Sequence, residues 1–277
     1  MIDSFTLALA QIQVGLVKED NLAAAERLIR EAAAKGIALA ILPEMFNCPY
    51  EDKYIGPFAE EIPQGQTSRF LSHLAAELGI YLVGGSIPEK SDGPKPYNTA
   101  TLWDPAGKLL LKYRKVHLFD VDIPLGITRT ESDTISAGDR FGLVQTELGT
   151  IGLAVCFDLR FPEVFRALAL GGAELIVLPG AFNTTTGPVH WELILRARAV
   201  ENTVYMAACG GAPSPSVDYP AWGRSMLVDP FGQVKASAGR EEEIVYGLFD
   251  RQRLSRVRQA LPFLNQRRPE VYARGLD

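Results

Sequence analysis

Short apolar runs bounded by Gly, Pro and Asp alternate with stretches of helical periodicity along the whole chain, and that alternation confines the fold to the α/β class. An apolar run at residues 5–14 precedes a helix predicted over 21–35, with Asn21 as N-cap and Gly36 ending it, and then a buried strand over 37–42. The cycle repeats with a helix over 67–78, stopped by Gly79, and a strand over 80–83. Strands over 142–146, 151–156, 175–178 and 203–208 then enclose helices over 162–170 and 189–201. Two Asp-Pro-x-Gly turns, starting at Asp104 and Asp229, each close a hairpin. Hairpins mixed with β-α units point to two sheets packed face to face with helices outside. The expected fold is thus a four-layer α-β-β-α sandwich rather than one doubly wound sheet. The related segments IALAILPEMF and ELIVLPGAF, with the paired turns, suggest that the two halves repeat. No low-complexity linker splits the chain, so residues 1–277 read as a single domain.

Charge and composition narrow the partners. A formal net charge of -5 argues against a global attraction to nucleic acid or anionic membrane and favours a small soluble partner. No apolar stretch approaches the ~20 residues that span a bilayer. The N-terminal alternation of Phe5, Leu7 and Leu9 reads as a strand rather than a signal peptide, so a cytoplasmic location is expected. Cys48, Cys156 and Cys209 are odd in number and form no C-x-x-C pair, which suits reduced thiols better than disulfides or structural zinc. His73, His117 and His190 offer no helical metal-ligand spacing, and a metal-dependent mechanism is not expected.

Three positions carry candidate chemistry. Glu44 lies just beyond an apolar strand and behind Pro43, at the end of a strand where α/β proteins build sites. It could be a desolvated general base or an ordinary loop acid. Cys156 closes another apolar strand before a helix opening at Pro162. A strand-to-helix elbow there would expose the sulfur beside backbone N–H groups, whereas an isolated cysteine is more often a buried structural thiol. Lys115, in LKYRKVHLFD, could lower a neighbouring thiol's pKa and stabilise an oxyanion, or could be a surface cation. Spacing alone does not decide among these.

The three segments LPEMF, YRKVHLFD and GLAVCFDLRFPE, in this order and context, closely resemble the Glu-Lys-Cys triad of the nitrilase superfamily. The likeness spans nearly the whole chain. GGSIPE, PGAFNTTTGPVHWELILRARAVEN and LPFLNQRRPEVY look most like its ω-amidase branch, which hydrolyses the ω-amides of α-ketoglutaramate and ketosuccinamate. The resemblance implies the α-β-β-α sandwich, homodimers and no cofactor. It casts Cys156 as nucleophile, Glu44 as base and acid, and Lys115 with the Phe157 N–H as oxyanion donors. Glu131, in TRTESDT, matches a glutamate that orients the lysine. Arg160, four residues after the cysteine, matches a position suited to clamp a substrate carboxylate, with an ion pair to Asp158 or Glu163 as its structural alternative. Tyr50 and the run Thr184, Thr185, Thr186 are expected to line the same pocket. Arg224, where the branch usually carries histidine, and the 209–220 loop depart from the pattern and bear on substrate choice.

Related amidases of deaminated glutathione or N-carbamoyl amines, a Cys-His hydrolase built on His117 or His190, and a catalytically silent dimer are the competing readings. The tail from about 251 to 277 holds seven arginines. Helical spacing of Leu254, Val257 and Leu261 makes most of those arginines its solvated face, and the resemblance places the tail at a subunit interface.

Overall fold

A computed structural model describes residues 2–124 and 126–274; the last three residues of the predicted interface tail lie outside them. The first half supplies strands β1 (Ser4–Gln11), β2 (Leu39–Ile41), β3 (Tyr81–Glu89), β4 (Tyr97–Trp103) and β5 (Leu109–Arg114), then a two-stranded ribbon of β6 (Asp120–Asp122) and β7 (Thr128–Thr130). The second supplies β8 (Gly142–Thr146), β9 (Gly149–Leu153), β10 (Leu175–Gly180), β11 (Tyr205–Gly210), β12 (Met226–Val228), β13 (Val234–Ser237) and β14 (Glu243–Asp250). Helices α1 (Lys18–Ala33), α2 (Asp52–Phe58), α3 (Gln66–Leu78), α4 (Pro162–Leu170), α5 (Gly187–Asn202), α6 (Arg251–Ala260) and α7 (Pro269–Tyr272) complete the described residues.

Two six-stranded sheets run β14-β1-β2-β3-β4-β5 and β8-β9-β10-β11-β12-β13. Each has three central parallel strands, an antiparallel strand on one flank and an antiparallel hairpin on the other. The expected repeat is therefore present in the topology, with β2 matching β10 and the two Asp-Pro-x-Gly turns occupying equivalent hairpins. Period-2 alternation sorts β1 between layers: Leu7 and Leu9 join the core between the sheets, while Ala8 and Ala10 face the side chains of α1 and α3, among them Leu28, Ile29, Leu71 and Leu74. Phe165, Leu168, Trp191 and Leu195 of α4 and α5 cover the other sheet, which completes the α-β-β-α sandwich.

Several local expectations are corrected. Helix α1 begins at Lys18, so Asn21 is inside it and buried; its amide holds the preceding loop instead, accepting from Gly15 N (2.7 Å) and donating to Gly15 O (3.0 Å). The arginines of α6 are not a solvated face. Arg251 bonds Glu174 and Leu148 O, Arg253 bonds Asp229, and Arg258 donates to Thr203 O and Ala173 O, so three of them fasten the helix to its own chain.

Candidate active site

Glu44 is placed by a tight contact between strands β2 and β3. The carbonyl of Pro43, two residues past β2, accepts from Ser86 N (3.2 Å), and the Ser86 hydroxyl accepts from Met45 N (3.1 Å). Gly85 makes this approach possible, because a Cβ there would lie 2.1 Å from Pro43 O and its φ of +52° suits glycine. Met45 also has positive φ, at 52°, so the carboxylate sits in a backbone turn that is strained and tied down on both sides.

Cys156 lies at the end of the extended segment that follows β9, at the start of a 3₁₀ turn, Cys156–Arg160, that leads into α4. Its φ of +45° is unusual for a residue with a side chain and marks a sharp elbow between the extended segment and the turn. Asp158, which sequence reasoning weighed only as a partner for Arg160, holds that elbow. Fully buried, it accepts from Val155 N (2.9 Å) and Tyr113 Oη (2.7 Å) on one oxygen, and from His117 N (3.0 Å) and His117 Nδ1 (2.9 Å) on the other. Tyr113 and His117 flank Lys115 in sequence, so one carboxylate ties the elbow to the lysine strand. Asp158→Asn should therefore reduce kcat about tenfold to a hundredfold with a small change in KM, since an amide cannot accept all four bonds. An unchanged kcat in a folded variant would show that the elbow holds itself.

Lys115 follows β5 and has no solvent exposure. Its Nζ donates to Glu44 Oε1 (3.0 Å), Glu131 Oε1 and Oε2 (3.1 and 2.8 Å) and Tyr50 Oη (3.3 Å). Glu131, in a 3₁₀ turn and equally buried, also accepts from Tyr50 Oη (2.8 Å) and Phe119 N (2.6 Å). Burial alone would push the lysine down, but the charges of Glu131 and then Glu44 outweigh it and hold the ammonium well above its ordinary pKa. Burial likewise works against an ionised Glu131, yet Lys115 wins and keeps that carboxyl below its usual value. Asn98, a second group that sequence reasoning passed over, donates to Glu44 Oε1 (2.7 Å). The other oxygen, Glu44 Oε2, is buried with no hydrogen-bond partner.

The thiol behaves differently from the simple expectation that a neighbouring lysine lowers its pKa. Burial, followed by the charge of Glu44, pushes Cys156 well up, and the opposing pull of Lys115 is smaller. Burial thus favours the protonated thiol, whose proton must move as the sulfur attacks.

Cys156 opens on a pocket that it shares with Phe157, Arg160, Phe182, Thr186 and Tyr219. Arg160 forms no ion pair with Asp158 or Glu163: its Nη1 meets His190 Nδ1 at 3.2 Å and its guanidinium lies over Phe157 and Phe182, at 5.5 and 5.3 Å from the ring centroids. The threonine run divides, with Thr186 buried on this cavity and Thr185 exposed, its N–H donating to Asn183 Oδ1 in a turn. Tyr50 lines a neighbouring cavity with Glu44 rather than the one at the sulfur. Arg224 opens on a separate surface hollow beside Trp222 and Glu192. Neither candidate histidine is hydrogen-bonded to Cys156, since His117 is held by Asp158 and stacked on Phe161 while His190 meets Arg160. Among the described residues no group of three or more His, Cys, Asp or Glu side chains could hold a metal ion.

The carbon-nitrogen hydrolase family model matches residues 6–259. The chain belongs to the carbon-nitrogen hydrolase family. Omega-amidase NIT2 of Mus musculus is 49% identical over 271 residues, covering 98% of each chain. Among solved structures, Saccharomyces cerevisiae Nit3, a member of the nitrilase superfamily, superposes with a TM-score of 0.88 at 38% identity, over 96% of this chain and 97% of that one. The amidase from Nesterenkonia sp. AN1, in a variant with acrylamide added at its active-site cysteine, gives a TM-score of 0.80 at 27% identity, over 98% of this chain and 100% of that one. The site, with a thiol, a carboxylate and an ammonium, suits this family, and the chain is a hydrolase acting on carbon-nitrogen bonds. No described helix is long and apolar enough to cross a membrane.

Proposed function

We propose that this chain is a cysteine-dependent ω-amidase that converts short α-keto dicarboxylic acid monoamides, such as α-ketoglutaramate and ketosuccinamate, to the free acid and ammonia. The observation that carries the reading is a guanidinium, Arg160, with no carboxylate partner among the described residues, in the same cavity as Cys156. A substrate with an amide at one end and a carboxylate at the other matches that pair. The mouse relative's name, omega-amidase, supports the same reading.

In the cycle, Cys156 attacks the amide carbon as Glu44 Oε2 takes its proton. Lys115 and the Phe157 N–H stabilise the developing oxyanion, and Glu131 with Tyr50 keeps the lysine in place. Glu44 then gives the proton to the leaving nitrogen, ammonia departs, and the same carboxylate activates water against the thioester. Phe182 and Thr186 shape the acid end, while Thr185 serves the turn. We also place the protein in the cytoplasm as a homodimer, with the tail from 251 near the interface.

Arg160→Lys and Arg160→Gln test the clamp. Arginine binds a carboxylate through two parallel hydrogen bonds where lysine offers a point charge. Losing that pair should cost about 2 to 4 kcal/mol in kcat/KM, tens to several hundred-fold, against α-ketoglutaramate. An amide of similar length without a carboxylate should lose far less. Equal losses on both substrates, or a change in thermal stability alone, would make Arg160 structural.

A further inference from the structure

A second cavity, of about 40 Å³, borders the site on the Glu44 side and shares Ala181 and Tyr219 with the cavity at Cys156. Besides Glu44 its walls are mainly apolar and small: Met45 and Cys48 from the turn after β2, and Ala212, Val217 and Ala221 from the segment between β11 and β12. The mechanism as derived leaves this space without a task. Ammonia is about the size of a water molecule, which takes up ~10–15 Å³ of such space, so the primary leaving group leaves more than half of it unfilled.

The division of labour around the scissile carbon says what the rest could hold. The acid arm of the substrate runs from the sulfur toward Arg160 in the first cavity. The leaving nitrogen must lie within reach of Glu44, because that carboxylate delivers its proton. A substituent on the nitrogen therefore extends past Glu44, where the second cavity begins with apolar walls. Resting on the ω-amidase reading, we propose that this cavity is a leaving-group subsite and that the enzyme also cleaves small N-alkyl ω-amides of the same acids, releasing primary alkylamines.

The reaction balances as for the primary amide. The C–N bond breaks as the C–S bond forms, and the amine leaves with the proton Glu44 took from the thiol. Water then supplies the acid's new oxygen, and its proton returns through Glu44 to the sulfur. No oxidant, reductant or further reactant enters.

The test compares α-ketoglutaramate with its N-propyl analogue on the full-length protein, following keto-acid formation and, separately, propylamine. The N-propyl amide should be cleaved with kcat/KM within about tenfold of the primary amide, the order of discrimination that one or a few methylenes produce in an apolar pocket. Val217→Phe, on a half-buried loop position, fills the cavity and should lower the N-propyl to primary ratio at least about tenfold. Ala212→Val provides an independent filling variant with the same expected direction. Arg160→Gln should lower both substrates together and leave the ratio near its original value, since the acid arm is common to both. Hydrolysis of the primary amide alone, with the N-propyl analogue neither cleaved nor affected by either filling variant, would overturn the subsite while sparing the ω-amidase reading. If neither compound is cleaved, the ω-amidase reading falls and takes the subsite with it.

Discussion

Cys156→Ala is expected to remove hydrolysis by at least about 10⁴-fold, because the step that forms the thioester needs a thiol and no second cysteine lines the cavity among the described residues. The fold should survive. Alanine takes the same strained backbone as cysteine, and deleting one sulfur from the cavity wall removes less than a buried methylene pair would, about 1 kcal/mol. Substrate binding should persist as well, since Arg160 and the apolar walls are untouched, so the variant should still be protected thermally by α-ketoglutaramate. Cys48 and Cys209 provide the contrast. Both are buried thiols, Cys209 facing the carbonyls of Ala10 and Ile41, and alanine at either should leave most turnover intact. Turnover in Cys156→Ala near that of the parent would dismiss the nucleophile.

Replacing Lys115 with methionine should be the most damaging change to the molecule as a whole. The ammonium is the cation between Glu44 and Glu131, at 3.0 and 2.8 Å, and all three side chains are sealed from solvent. Removing it leaves two carboxylates facing one another in a dry site, a loss of about 3 to 5 kcal/mol when one partner of a buried pair is deleted. That is a large share of the ~5–15 kcal/mol that holds a typical domain together. Catalysis should fall further, by about 10² to 10³ in kcat, through the missing oxyanion donor. Denaturant unfolding separates the two effects when Glu131→Gln is added. The double variant carries one buried charge fewer and should recover part of the stability without recovering turnover, a coupling that independent sites would not show. A Lys115→Met protein with parental stability would mean that the cluster is not ionised as described.

The candidate site was legible where chemistry coincides with an apolar strand end. Glu44 and Cys156 each follow an apolar strand core, and the contrast between a polar side chain and the run before it marks both; Lys115, behind Lys112, Tyr113 and Arg114, stood out only through the family resemblance. Asn98 and Asp158 gave no such contrast. Asn98 lies inside a strand whose neighbours include two threonines, and Asp158 sits one turn into an elbow that reads as a helix start; their roles depend on side chains from 54 and 45 residues away. The pocket assignments of Tyr50 and Thr185 blurred because sequence can bring a segment to a site without saying which side of a carboxylate it lines.

In the fold, α4 and both hairpins were readable from Pro, Gly and Asp punctuation. Helix α2 was not, since Gly56 and Pro57 lie within it, and β14 opens on a glutamate from an acidic run that reads as surface. The α6 arginines misled for another reason. Their long side chains fold back onto carbonyls and acids that only the tertiary structure brings near, which a helical wheel does not register.

The order of the strands has a consequence for when the enzyme can first work. Strand β14, made after every other strand of the described residues, pairs with β1 over eight residues and closes the edge of the sheet whose loops carry Glu44 and Lys115. The sheet that carries Cys156 is complete by residue 237. A chain emerging from the ribosome therefore finishes its nucleophile's layer before its base's layer. The thiol waits in a half-built molecule, still without its completed partner layer, until β14 arrives.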